Sequence, residues 1–205
     1  MKLLPFIAVY LSCSTLLAQE KIFHQPNAKG EWQYIHPFVD KSYVVAIQYG
    51  VKNDEEDGLK SSNLYFGKIG KTDKVFWKEQ LQLRFVKDNV SYEDYNNDGL
   101  KDLLIFEDTG ARGGNAYYNL YLLNAKNHMV KKVVGFNKIV NPSYHKKLKV
   151  IVSYGLAGTD VYISVYRLNA NNKPYQIGKS FKETDDIDVD RKIAELLKKH
   201  KSKSF

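Results

Sequence analysis

Cysteine is all but missing: Cys13 is the single one among 205 residues. One thiol cannot close an intramolecular disulfide, so stability has to come from an ordinary core. The chain is long enough to bury one. Signatures of common enzyme chemistry are missing as well: there is no His-Glu-x-x-His zinc motif, no phosphate-binding glycine loop and no Gly-x-Ser-x-Gly elbow. The five histidines, His24, His36, His128, His145 and His200, lie far apart, without a second ligand at metal spacing. Glu93 and Asp108 imitate a glycosidase pair, but a chain with 23 acidic residues contains many such pairs. No DNA- or RNA-binding signature is present either. These absences point to a binding or inhibitory protein, not an enzyme, and to no nucleic-acid partner.

Long apolar runs are also missing after the first eighteen residues, which excludes a membrane-spanning helix there. Before that point, Met1-Lys2 is followed by a mostly apolar stretch from Leu3 to Ala18, ending in small-residue territory before Gln19-Glu20. This reads as a signal peptide over 1–18, with residues 19–205 forming one exported domain, periplasmic or secreted. Leu11-Ser12-Cys13 resembles part of the bacterial lipoprotein box, with Tyr10 where that box usually has Leu. Acylation at Cys13 is therefore the alternative route to the envelope. Cleavage after Ala18 leaves no cysteine in the mature chain.

The formal charge is +8, much of it in the tail Lys198-Lys199-His200-Lys201-Ser202-Lys203. Such a balance suits anionic wall polymers, lipid headgroups or an acidic protein partner. The plainer account of the tail is a solvated helix end whose lysines complement the helix dipole.

Fifteen tyrosines and ten phenylalanines, with many Val and Ile, favour β structure. Strands are predicted over Tyr43–Tyr49, Asn63–Ile69, Gln80–Val86, Leu103–Phe106, Ala116–Leu123, Lys147–Tyr154, Asp160–Leu168 and Pro174–Lys182. Turn clusters at Lys52–Gly58, Gly110–Asn115, Gly155–Gly158 and Asn169–Lys173 separate them. The C-terminus changes period, and Val189, Ile193, Leu196 and Leu197 predict a helix over 187–201. With no linker, low-complexity tract or strong internal repeat, the expected fold is a single antiparallel all-β domain with a C-terminal helix.

The densest chemistry lies in Asp94-Tyr-Asn-Asn-Asp-Gly-Leu-Lys-Asp102. Oxygen-bearing side chains recur at Asp94, Asn96, Asp98 and Asp102, with Gly99 where the backbone must turn. Ca²⁺ takes six to eight oxygen ligands, and a tight loop can bring alternate residues onto it. Leu100 would add its carbonyl. The twelfth loop position is Ile105 rather than the Glu of an EF-hand, and a strand-like run follows instead of a helix, so the loop belongs on a β-hairpin. Turn chemistry alone accounts for an Asn-Asp-Gly step. Three carboxylates within nine residues repel one another unless something offsets them. Such a ligand set implies an affinity of roughly 10⁻⁵ to 10⁻³ M, the extracellular range. Asn53-Asp54-Glu55-Glu56-Asp57-Gly58 has contiguous carboxylates that splay around the chain, and reads as an exposed loop.

The loop with Leu103–Phe106, then Gly110-Ala-Arg-Gly-Gly-Asn115, then Tyr117-Tyr-Asn-Leu-Tyr-Leu-Leu-Asn124, resembles a family of exported bacterial proteins. In that family an Asp-x-Asn-x-Asp-Gly-x-x-Asp calcium loop precedes a glycine-containing loop and a Tyr-rich strand. The resemblance spans roughly residues 75–177. Asn97 stands where the family often has an aromatic residue, and Leu123 where it often has Tyr. The resemblance implies a β-propeller-like fold, Ca²⁺ on Asp94, Asn96, Asp98, Leu100 and Asp102, and an immunity protein that binds and inhibits a peptidoglycan hydrolase. Gly113, Gly114, Asn115, Tyr117 and Tyr118 are the expected partner surface, because tyrosine offers large contact area at low entropy cost. Ordinary sheet packing accounts for those tyrosines equally well. The alternative function is a calcium-dependent adhesion or glycan-binding module of the envelope.

Overall fold

The computed structural model describes residues 21–23, 31–53, 59–84 and 89–201. The leader over 1–18, Cys13, His24, the acidic residues 54–58, the end of the strand predicted to reach Val86 and the tail beyond residue 201 lie outside the described residues.

Within them the chain forms three antiparallel sheets in sequence order. The first sheet takes β1 (Glu31–Ile35), β2 (Tyr43–Asn53), β3 (Lys60–Lys68) and β4 (Lys74–Leu83). The second takes β5 (Val90–Glu93), β6 (Asp102–Gly110), β7 (Asn115–Asn124) and β8 (Met129–Lys132). The third takes β9 (Pro142–His145), β10 (Val150–Ala157), β11 (Asp160–Leu168) and β12 (Pro174–Gln176), with β13 (Phe181–Lys182) also paired to β11. Helix α1 (Val189–Lys201) closes the chain. Asp188 caps it, accepting the N–H of Arg191 at 3.0 Å. The expected antiparallel all-β domain with a C-terminal helix is what forms. Apart from β13, each sheet is a meander in which neighbours in sequence are neighbours in space, and among the described residues no strand is shared between sheets.

Side-chain alternation explains how the sheets stack. In β7, Tyr121 and Leu123 point into a core shared with the first sheet, where they meet Ile47, Leu64 and Leu83. Their neighbours Leu120 and Leu122 point the other way, into a second core with Phe136 and Ile151. In β10, Ile151 joins that second core, while Val150 and Val152 meet Ile163 and the α1 residue Ile193 in a third. On the far side of the first sheet, Val44 and Ala46 pack with Phe23. Both faces of the central strands are therefore covered, which is why they read as continuous apolar runs instead of alternating ones. Burying each Leu, Ile or Val fully contributes about 1.5–3 kcal/mol.

The strands missing from the sequence reading are β1, β5, β8 and β9, of four or five residues each. All four lie at sheet edges, where one flank is unpaired and a long apolar signal is not needed. Strand β4 starts at Lys74, six residues before the predicted start, and the predicted Pro174–Lys182 strand is broken in two around Gly178, whose φ is +71°.

Candidate metal loop and hairpin tip

Two turns on the middle sheet hold the residues singled out by the sequence. The first joins β5 to β6, which pair with Glu93 opposite Asp102. The backbone turns through left-handed conformations at Asn97 (φ 59°) and Gly99 (φ 90°). Gly99 takes this without a Cβ penalty, and Asn tolerates it better than most residues. The loop's own oxygens then satisfy its amides. Asp94 accepts the N–H of Asp98 at 3.1 Å and of Gly99 at 2.9 Å. Asn96 Oδ1 accepts from Asp98 N–H at 3.1 Å, and Asp98 Oδ1 from Leu100 N–H at 2.9 Å. The Asn96 amide also donates to Asp98 Oδ2 at 2.8 Å.

Asp102 is different. It is fully buried, and its two oxygens reach two elements: Oδ2 accepts the N–H of Tyr95 at 2.9 Å and Oδ1 that of Leu123 at 3.0 Å. Burial pushes its carboxyl up to about 7; the two N–H groups oppose the shift, and the charges of Asp98 and Asp94 add to it. Among the described residues no cation forms an ion pair with Asp94, Asp98 or Asp102.

The donor set suits a hard cation: carboxylate and amide oxygens, with no thiol or imidazole in the loop. Among the described residues, no three His, Cys, Asp or Glu side chains converge tightly enough to form a metal cluster on their own. That matches a loop whose carboxylates are turned onto its own backbone N–H groups. The Leu100 side chain faces a groove of about 470 Å³ shared with Tyr34, His36, Lys41 and Tyr92. On the other side, a cavity of about 180 Å³ separates the loop from the third sheet, with Asn96 and Asn97 on one wall and Lys149 and Arg167 on the other.

The second turn joins β6 to β7. Ala111 (φ 47°), Arg112 (φ 56°) and Gly113 (φ 93°) are all left-handed, and all three are exposed. Two residues in this region cost roughly 1–2 kcal/mol each when they carry a Cβ, so something else holds the turn. Asn141 is that support. Its Oδ1 accepts Ala116 N–H at 2.8 Å, and its Nδ2 donates to the carbonyls of Gly114 at 2.8 Å and Tyr154 at 2.7 Å. Asn115 does the same towards β10, donating to Leu156 O at 3.1 Å and accepting Leu156 N–H at 2.8 Å. Gly114 sits so close to Leu156 that a Cβ would lie 2.2 Å from its Cδ1.

The five residues expected to meet a partner are thus split by the structure. Gly113 is at the exposed tip. Asn115 is buried, and its side-chain amide is engaged on both atoms. Tyr117 and Tyr118 are half-buried; Tyr118 lies edge-on against Phe106 at 5.5 Å between ring centroids. Three of the described histidines have structural partners: His36 Nδ1 lies 3.1 Å from Tyr43 O, His128 stacks on Tyr43 at 4.5 Å, and His145 lies 3.1 Å from Asp190. Glu93 pairs with Lys146, and Asp108 with Arg84.

Sequence reasoning missed Asn141, which looks like any turn asparagine, and missed the dual grip of Asp102. Neither has a local signal, because their partners lie 13 to 27 and 7 to 21 residues away. It also read Asn169–Lys173 only as a turn, although Asn169 and Asn172 reach the cavity beside the loop. Among the described residues no helix is long and apolar enough to cross a membrane. Comparison of the chain with protein-family models, with curated proteins and with solved structures returns no match.

Proposed function

We propose that the protein is an exported calcium-binding protein that binds and inhibits a peptidoglycan hydrolase, as an immunity protein does. The observation that carries this reading is the Asp94–Asp102 loop. One tight turn carries three carboxylates and an amide oxygen, with no described cation paired to them, and a buried Asp102 roots it in the middle sheet. Asp94, Asn96, Asp98 and Asp102, with the Leu100 carbonyl, are the residues that would hold Ca²⁺. The bound ion would supply the positive charge that offsets theirs.

The chain's own residues do the rest. Asp102 ties the loop to β7 through Leu123 N–H, so the loop and the Tyr-rich strand move as one piece. The exposed Arg112–Gly113 tip and Tyr117, held by Asn141, offer a preordered contact surface, which lowers the entropy lost on binding. Three antiparallel sheets, two of four strands and one of five, stacked face to face support a propeller-like description, since propeller blades are antiparallel sheets of about this size. A net charge of +8 suits an acidic partner. The structural engagement of His36, His128 and His145 favours binding over catalysis. A leader over 1–18, as the sequence reads, would carry the protein to the periplasm or the medium, and acylation at Cys13 would hold it on the membrane instead.

The test is an inhibition assay. Purified protein is added to peptidoglycan digested by envelope and culture-fluid hydrolases, in calcium and in chelator. A hydrolase that is slowed in a dose-dependent way, and co-purifies with the protein, is the expected result. No slowing, together with retention of the protein on insoluble peptidoglycan without any hydrolase, would replace this reading by the adhesion or glycan-binding module.

A further inference from the structure

The cavity between the metal loop and the third sheet is lopsided in its chemistry. Its walls carry two cations, Arg167 from β11 and Lys149 from the β9–β10 turn, and no carboxylate. Among the described residues neither cation has an ion pair, and neither side chain has a hydrogen-bond partner. The amides around them are spare donors too. Asn169 spends its Oδ1 on the N–H groups of Asn171 and Lys173, at 2.9 and 3.0 Å, and its Nδ2 is left over. Asn97 Oδ1 accepts from Tyr144 OH at 3.4 Å, again leaving Nδ2. Asn172 makes no side-chain hydrogen bond within the described residues.

Three of these wall residues, Asn97 (φ 59°), Lys149 (φ 52°) and Asn172 (φ 58°), hold left-handed backbone. Non-glycine residues in that region cost about 1–3 kcal/mol each and tend to gather at ligand clamps. Arg167 is near enough to act on Tyr144, opposing the upward shift that burial and the Asp94 charge impose on that phenol. A guanidinium presents a planar fork of donors matched to a carboxylate, and a half-buried one binds it more strongly than an exposed lysine does.

We infer that this cavity is a binding site for a small organic carboxylate, with Arg167 and Lys149 taking the carboxylate and the amides of Asn97, Asn169 and Asn172 taking neighbouring oxygens. A volume of about 180 Å³ fits one sugar ring or one amino acid, not a polymer segment. The inference does not rest on the inhibitor reading, because both cations belong to the third sheet and neither belongs to the metal loop.

Titration calorimetry of the full exported chain with glucuronate and with N-acetylglutamate tests it, in calcium and in chelator, with glucose and inorganic sulfate as controls. Saturable binding of one or both carboxylates is expected in at least one buffer, and which of them binds identifies an acidic sugar or an acyl amino acid as the source. Arg167→Gln should weaken that binding by about tenfold or more, the usual worth of a charge-assisted hydrogen bond. Arg167→Lys should fall between the two. If Arg167→Gln fails to fold, Lys149→Met gives the same reading from an exposed turn. No saturable binding in either buffer, glucose or sulfate binding as tightly, or unchanged affinity in the variants would each overturn the assignment. Loss of hydrolase inhibition with carboxylate binding intact would count against the inhibitor reading alone.

Discussion

The two turns of the middle sheet solve one problem in opposite ways. Both must satisfy backbone amides where the chain reverses and both use left-handed residues. The Asp94–Asp102 turn does it with side chains two to five residues away, all within the loop except for the anchoring Asp102. The Gly110–Asn115 turn does it with Asn141 and with β10, 25 to 41 residues away. The self-satisfied turn concentrates negative charge in its own side chains. The turn held from outside is supported by neutral amides, and depends on the neighbouring sheet being folded.

Removing the outside support should have the largest effect. Asn141→Ala would strip partners from Ala116 N–H and from the carbonyls of Gly114 and Tyr154. We expect a loss of roughly 3 kcal/mol in urea unfolding, since three half-buried groups lose their partner at about 1 kcal/mol each, the low end for a stranded group. The loss should be the same in calcium and in chelator. A change under 1 kcal/mol would show that the tip holds itself.

Metal removal comes next. Calcium at about a hundred times its dissociation constant should stabilise the fold by about 2.7 kcal/mol, and chelation should reverse this. Asp98→Ala should abolish the calcium response and cost only about 1 kcal/mol in chelator, where it forfeits hydrogen bonds to one exposed loop. A melt identical with and without chelator in the parent protein would sink the metal assignment. Combining Asp98→Ala with Asn141→Ala in chelator should give additive losses within about 0.5 kcal/mol, as distant sites do. Coupling well beyond that would erase the distinction between the two turns.

The smallest effect concerns the ion pair below the tip. The Arg84 side chain holds the Asp108 carboxyl below the usual carboxylate range, with Thr109 N–H helping and burial opposing. A depressed native pKa means that its stabilisation is complete above the unfolded value, about 3.9, and is lost as pH falls through the native one. Both side chains are about a third exposed, so the pair should be worth under about 1 kcal/mol. Asp108→Asn should lower stability slightly at pH 7 and hardly at all near pH 2. An equal loss at both would assign the effect to packing.

The same contrast explains what was legible in the sequence. The turn at Asp94–Asp102 was readable because its partners are its neighbours: Asp94, Asn96 and Asp98 serve amides two to five residues on. The strands around Val45, Leu104, Leu122 and Val152 were readable because both of their faces are buried and their apolar runs are unbroken. Short edge strands such as β5 and β9 carry no such run. The role of Asn115 was not readable at all: it was taken for a surface residue because its glycine-rich setting looks like a loop tip. Its partner Leu156 is 41 residues away, and only the stacking of sheets brings them together. Arg167 was hidden the same way, in a strand whose pattern speaks of packing.

The stacking has a further consequence, for how the molecule comes together. The order Phe23, first sheet, second sheet, third sheet, α1 is the same along the chain and through the stack. Among the described residues each core joins consecutive layers, as in a short solenoid, so stability divides into layer terms and nearest-neighbour interfaces. Assembly can then run along the chain, each new sheet docking on a finished one. On that view α1 is a terminal cap: its amphipathic face seals the last open surface, where the next sheet of a longer stack would otherwise add.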